Sequence, residues 1–200
     1  MKLRLDHLAI CATDLVSGTT WVEGELGQRL IQGGKHVRFG THNTLLGLGD
    51  IYLEVIAPDP DAAPFQGPRW FDLDRFTGAP RLGNWICATD DIAQAPDKAG
   101  KPIALTRDDL AWQIAVPKDG SLPDAGGFPT LIAWGDCPHP ASGLPESGVR
   151  LHDLEVHHPQ AATLAVEVGA MLDDARVSFH AAPRPALHAT FETPKGRVRL

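Results

Sequence analysis

A five-residue segment that occurs twice constrains this chain more than any other feature. Ile10-Cys11-Ala12-Thr13-Asp14 returns as Ile86-Cys87-Ala88-Thr89-Asp90. Each copy ends an apolar run and precedes a stretch with helix-like spacing. Near-identity at matched positions points to a duplicated supersecondary unit, and a duplicated unit must bury its apolar face against a neighbour. Asp14 and Asp90 both suit an N-cap, where a carboxylate accepts the free N–H groups of a first helical turn. A fainter third copy starts at Val149, where the apolar positions of residues 149–156 follow those of residues 3–10.

The first unit, residues 3–57, reads as βαβββ. Residues 3–11 form a strand and residues 15–26 a helix that stops at Gly27. Strands follow at 29–32, 44–48 and 51–57, with Gly33-Gly34 opening a loop that carries Lys35 and His36. A proline-rich polar connector then runs to about Leu82. The second unit, residues 84–136, repeats the order, with a short helix over 92–99 weakened by Pro96. The third, residues 149–200, reads as βαβββ-like, with a strand at 151–157, a helix at 161–172 and three closing strands. The expectation is one α+β domain over residues 1–200.

Composition narrows the function. The formal net charge of −7 repels phosphate backbones, so nucleic acid is not an expected partner. No run approaches the roughly 20 apolar residues that cross a bilayer, so no membrane partner is expected. The three cysteines form no Cys-x-x-Cys pair. With no apolar signal segment after Met1, a reducing cytoplasmic location is the expectation. Neither a Gly-x-Ser-x-Gly elbow nor a Gly-rich phosphate loop is present.

The run Asp6-His7-Leu8-Ala9-Ile10, with Thr13-Asp14-Leu15, Trp21 and Leu26-Gly27, resembles the opening of a vicinal-oxygen-chelate module. Gly40-Thr41-His42-Asn43-Thr44-Leu45-Leu46, Leu48-Gly49 and residues 52–58 resemble its closing half, in the form seen in glyoxalase-like domain proteins. Residues 132–136, 138–140 and 192–197 are similar to the same subgroup. The resemblance implies paired βαβββ modules that form a half-open barrel around a central cleft for a small-molecule ligand. It also implies a homodimer, since three modules leave one without a partner. A divalent metal (Fe, Mn, Zn or Ni) is the implied cofactor. Isomerase, lyase or dioxygenase chemistry on a carbonyl or vicinal-oxygen substrate is the implied activity. A metal-free sequestering protein of the bleomycin-resistance type is the alternative.

His7 and Glu54 match the first-strand and fourth-strand metal positions of that family. A carboxylate inside an apolar strand is costly unless it is paired or metal-bound, and imidazole with carboxylate suits the metals named. A buried His–Glu hydrogen bond that only supports the sheet is the competing account. Aligning the two repeats puts Gly83 opposite His7 and Thr130 or a neighbour opposite Glu54, so the second module lacks matching ligands. Glu54 and His42 are the candidate catalytic residues. His36, Tyr52, Trp85 and Trp134 are candidates for substrate contact, with Trp112 and Phe128 as further walls. Asn43 reads as a turn cap.

Overall fold

The structure, a computed structural model, describes residues 1–107 and 109–200. Strand β1 (Arg4–Cys11) leads into helix α1 (Leu15–Leu26), then β2 (Ile31–His36), β3 (Thr41–Gly47) and β4 (Tyr52–Pro58). Helix α1 starts where the Asp14 carboxylate accepts the Ser17 N–H at 2.8 Å, and stops at Gly27, which adopts φ +66°. Its buried stripe is Gly18, Val22 and Leu26, every fourth residue. Gly18 lets the helix sit directly on the sheet: a Cβ there would fall 2.7 Å from both Ala12 Cβ and Val55 Cγ1.

The second unit contributes β5 (Arg81–Ala88), β6 (Lys101–Arg107), β7 (Leu110–Val116) and β8 (Thr130–Ala133). The eight strands join in one sheet in the order β2-β3-β4-β1-β5-β8-β7-β6. In each half the first strand pairs in parallel with the last, and the halves meet through the antiparallel β1–β5 pair. The modules therefore pair within this chain. The sheet curls until its two outermost strands meet, where Arg107 at the end of β6 reaches His36 at the end of β2. This is the half-barrel.

Several expectations change here. β2 runs through Gly33-Gly34 to His36 rather than ending in a loop, and it carries an irregular register between Gln32 and Lys35. The short helix expected at 92–99 is replaced by two 3₁₀ turns, Ile92–Gln94 and Asp97–Ala99. Pro96 lies between them and disfavours an α conformation at the residue before it. Asp90 accordingly caps nothing and pairs with Arg4 at 2.8 Å.

The third unit is β9 (Arg150–His158), α2 (Ala161–Gly169), β10 (Val177–Ala181), β11 (Ala186–Thr193) and β12 (Gly196–Arg199). Its element order matches the first unit, but its topology does not. β9 lies inside its sheet and pairs in parallel with β10, the strand straight after the helix, in the order β10-β9-β11-β12. It packs on the convex side of the second module, which has no α-helix to cover it. Trp85 and Phe128 lie in one core with Leu154, Val156, Leu164 and Phe191, and Lys98 bridges to Glu167 on α2 at 2.6 Å. The third unit finds its partner inside the chain, so the reason for expecting a second copy to complete it falls away. No helix among the described residues is long and apolar enough to cross a membrane.

The concave interior is divided. Ala9, Cys11, Phe39, Ile56, Ile86 and Ile114 form an apolar core there with Trp70, Phe71 and Leu73. Those last three come from the connector between the modules, which folds into one end of the barrel. The other end stays polar.

Candidate active site

The polar end is built around a β-bulge. In the β1–β5 pairing Leu5 faces Cys87 and His7 faces Ile86, so Asp6 is the extra residue. The bulge allows the neighbours Asp6 and His7 to interact side by side instead of pointing to opposite faces. The Asp6 carboxylate is buried and accepts three bonds: from His7 Nδ1 at 2.6 Å, from Trp134 Nε1 at 2.9 Å and from His139 Nε2 at 3.1 Å. Burial alone would raise its pKa, but the bonds to His139 and His7 hold it well below the usual carboxylate range. An ionised Asp6 keeps the proton of His7 on Nδ1 and leaves Nε2 facing the cleft.

Nε2 of His7 faces Oε2 of Glu54 at 3.7 Å, and His7 stacks on Tyr52 with ring centroids 4.4 Å apart. Glu54 is 5% exposed. Its Oε1 accepts a 2.5 Å bond from Asn43 Nδ2, and Asn43 Oδ1 accepts from the Gly34 N–H at 2.7 Å. Asn43 is thus no turn cap. It lies in β3, on the concave side, and clamps the carboxylate. Gly33 makes this clamp fit, because a Cβ there would sit 2.0 Å from Asn43 Oδ1. His7, His36, Asn43, Tyr52, Glu54, Arg107, Trp112 and Trp134 all line one crevice, whose free volume is about 40 Å³. That is room for the small reacting end of a molecule, on the scale of one or two water-sized groups.

The structure brings together His7, Glu54, His36, Tyr52 and Trp134 from the residues singled out in the sequence. His42 and Trp85 lie elsewhere. His42 shares its side of β3 with Thr44, whose hydroxyl bonds Thr19 of α1 at 2.8 Å, and its own nearest acid is Asp59 at 3.9 Å. Strand alternation sends it away from Asn43 and the crevice. Trp85 is fully buried on the convex side, where its Nε1 donates to the Gly126 carbonyl at 3.0 Å. Phe128 is buried in the same core. Asp6, Asn43, His139 and Arg107 are the residues that sequence reasoning missed. An Asp-His pair inside an apolar strand was the available signal for the first of these.

The repeat also aligns differently in space. Cys11 belongs to the concave core and Cys87 to the convex one, so the two copies of the segment present opposite faces. The match that preserves face sets Ile10 against Cys87, with Val55 and Leu131 as their parallel partners. Asn84, not Gly83, then stands opposite His7, and Thr130 opposite Glu54. Asn84 Nδ2 donates to Thr130 Oγ1 at 2.9 Å. A resident divalent metal in this class calls for three or more protein donors. His7 and Glu54 offer two, and the matching pair is an amide bonded to a hydroxyl. Among the described residues no group of three or more His, Cys, Asp or Glu side chains gathers as a ligand set. The donor set does not fit a resident metal.

His36 sits at the seam between β2 and β6, buried against Trp70 with centroids 4.9 Å apart. Burial, then the charge of Arg107, pushes its pKa down to about 3. An unfolded histidine titrates near pH ~6.5. The unfolded chain therefore binds a proton that the native chain refuses between those values. Stability from this group is complete above pH ~6.5 and declines as pH falls toward about 3. Unfolding free energies from urea titration should drop more between pH 7 and 4.5 for the wild type than for His36→Gln, by up to about 1.4 kcal/mol per pH unit. Equal drops would show that His36 titrates normally.

The half-barrel of two paired modules with a polar crevice on its concave side is the vicinal-oxygen-chelate fold, a scaffold for small-molecule sites. The chain belongs to the glyoxalase-like domain family, whose model matches residues 5–171. A solved hypothetical protein from Staphylococcus aureus shares the fold, with a TM-score of 0.66 at 14% identity, over 92% of this chain and 88% of that one. The methylmalonyl-CoA epimerase of Mycobacterium tuberculosis is a more distant structural relative. It has a TM-score of 0.45 at 17% identity, covering 69% of this chain and 91% of that one. No curated protein matches the chain.

Proposed function

We propose that this chain is a small-molecule enzyme that moves a proton beside a carbonyl group, with Glu54 as the base and the Asp6–His7 pair as its acid–base partner. One observation carries the reading. Glu54 is buried and anchored through Oε1 by Asn43, while its Oε2 and the Nε2 of His7 flank a 3.7 Å gap that opens on the crevice. The gap is too long for a direct hydrogen bond. A reacting group seated on the crevice side of it, within hydrogen-bond reach of both, would meet a proton acceptor and an imidazole together. Glu54 would take a C–H proton next to a carbonyl, the electron pair would move toward the carbonyl oxygen, and the proton would return to carbon or to oxygen. The net result is an isomerisation, with no oxidant or reductant required.

The aromatic walls and the two-donor set also support a second reading, a protein that binds and sequesters a planar small molecule. Deuterium exchange separates the two. Enolisable carbonyl compounds incubated with the protein in D₂O are expected to exchange their α-protons, followed by proton NMR, and to do so equally after EDTA treatment. Exchange that stops with EDTA and returns only with added metal would overturn the metal-free mechanism. Tight binding without exchange would favour sequestration.

A further inference from the structure

We propose that Arg107 receives a carboxylate of the substrate, so that the crevice takes small planar 2-oxo acids or their enols in preference to neutral carbonyl compounds. This rests on the reading of Glu54 and His7 as a proton-transfer pair. Arg107 is the last residue of β6 and lines the same crevice as Glu54. Its Nη1 donates to His36 Nε2 at 3.2 Å, and its guanidinium lies 6.0 Å from the Trp112 ring centre. His36 in turn donates from Nδ1 to Thr41 Oγ1 at 3.2 Å, an oxygen that also receives Trp70 Nε1 at 3.1 Å. Among the described residues the partners that hold the guanidinium are a neutral imidazole and an aromatic face, neither of which cancels its charge. No carboxylate among the described residues forms an ion pair with it.

The backbone is shaped for this arginine. A Cβ on Gly34 would fall 2.6 Å from Arg107 Cδ and 2.7 Å from its Nε. Gly33 and Gly34 thus make room, one after the other, for Asn43 and for Arg107. A half-buried cation whose direct contacts are an imidazole and an aromatic ring can still take an anionic ligand, and the planar fork of guanidinium matches a carboxylate in two parallel bonds. The flat walls of Tyr52, Trp112 and Trp134 and the narrow free space select a planar reacting end. A 2-oxo acid meets all three conditions. With its carboxylate on Arg107, its C3–H would be presented to Glu54. Glu54 takes that proton, the C–H electron pair becomes the C2–C3 double bond, and the C2 oxygen carries the enolate charge. Return of the proton to C3 completes the exchange.

The test compares pyruvate, 2-oxobutyrate and phenylpyruvate with their methyl esters, by C3 deuterium exchange in D₂O and by calorimetric binding. The wild type is expected to prefer the acids. Arg107→Gln should lower kcat/KM for the acids by at least about tenfold more than for the esters, with Arg107→Lys in between. Circular dichroism of both variants guards against misfolding. Acids and esters handled alike by the wild type, or lost alike in Arg107→Gln, would overturn the proposal while leaving the proton-transfer reading in place. Acids that bind in an Arg107-dependent way without exchanging would uphold it and remove the proton-transfer reading. Absence of both binding and exchange with all three acids would overturn it.

Discussion

Replacing Glu54 by glutamine is expected to slow α-proton exchange by about 10²–10⁴-fold, the range spanned by a single positioned general base, while the chain still folds. Glutamine keeps the shape of the side chain and an oxygen for the bond from Asn43. It removes the basic oxygen that faces His7 across 3.7 Å. It also removes a buried negative charge, so stability should change little or rise, since a carboxylate sequestered from water is costly unless fully compensated. The combination of lost exchange with retained stability is the signature of a chemical role. NMR exchange rates and a thermal melt on the same sample read both quantities. If Glu54→Gln exchanges at the wild-type rate, Glu54 is not the base. If it unfolds instead, the carboxylate is structural and the competing account of a sheet-supporting His–Glu pair takes its place.

The opposite pattern is expected for Trp85→Ala: a large loss of stability with the crevice chemistry unchanged. Trp85 has no exposure, and it packs edge-on to Phe179 of the third unit with ring centres 6.2 Å apart. Truncation opens a cavity between β5 and the third unit, and leaves the Gly126 carbonyl without its donor. Large-to-small changes at buried aromatic positions cost about 3–5 kcal/mol. For a chain of this length that corresponds to a fall of about 10 °C in Tm. The effect should be greater than at Trp134, which is half-buried at the crevice and bonds to Asp6. Urea titration of Trp85→Ala beside wild-type protein checks the size. A loss below about 1 kcal/mol would mean that the third unit does not depend on this contact.

These two outcomes separate the two sides of one sheet. The concave side carries the polar crevice at one end, its groups bonded to close neighbours, and the convex side supplies the burial that seats the third unit. His7 and Leu8 are adjacent in β1, yet one lines the crevice and the other the convex core. A register slip of one residue would exchange them, so stability and chemistry depend on the same alternation.

Much of this was legible in the chain itself. The repeat at residues 10–14 and 86–90 implied two modules, and the Asp14 and Gly27 signals bounded α1 correctly because capping is local chemistry. His7 and Glu54 stood out because charge within apolar strands needs a reason, and both line one crevice. What the chain alone could not decide was which face each residue would take. A bulge at Asp6 adds one residue to β1, and an irregular register at Gln32–Lys35 alters β2. Each breaks the period-two rule locally, and the bulge is why Asp6 joined the site beside His7; the repeated segment also came out with its faces exchanged. His42, expected outside the strands, lies in β3 on the same side as Thr44, toward α1. Trp85 lies on the convex face: periodicity says that alternate residues share a face, but not which face is concave. Contacts between distant segments were equally hidden. Arg107 meets His36 only because the sheet curls until its ends touch, and His139 reaches Asp6 from a loop that follows the second module. The third unit shows the same limit on a larger scale. Its element order copied that of the first, but an uncovered convex face on the second module, left by Pro96 in place of a helix, was what it packed against.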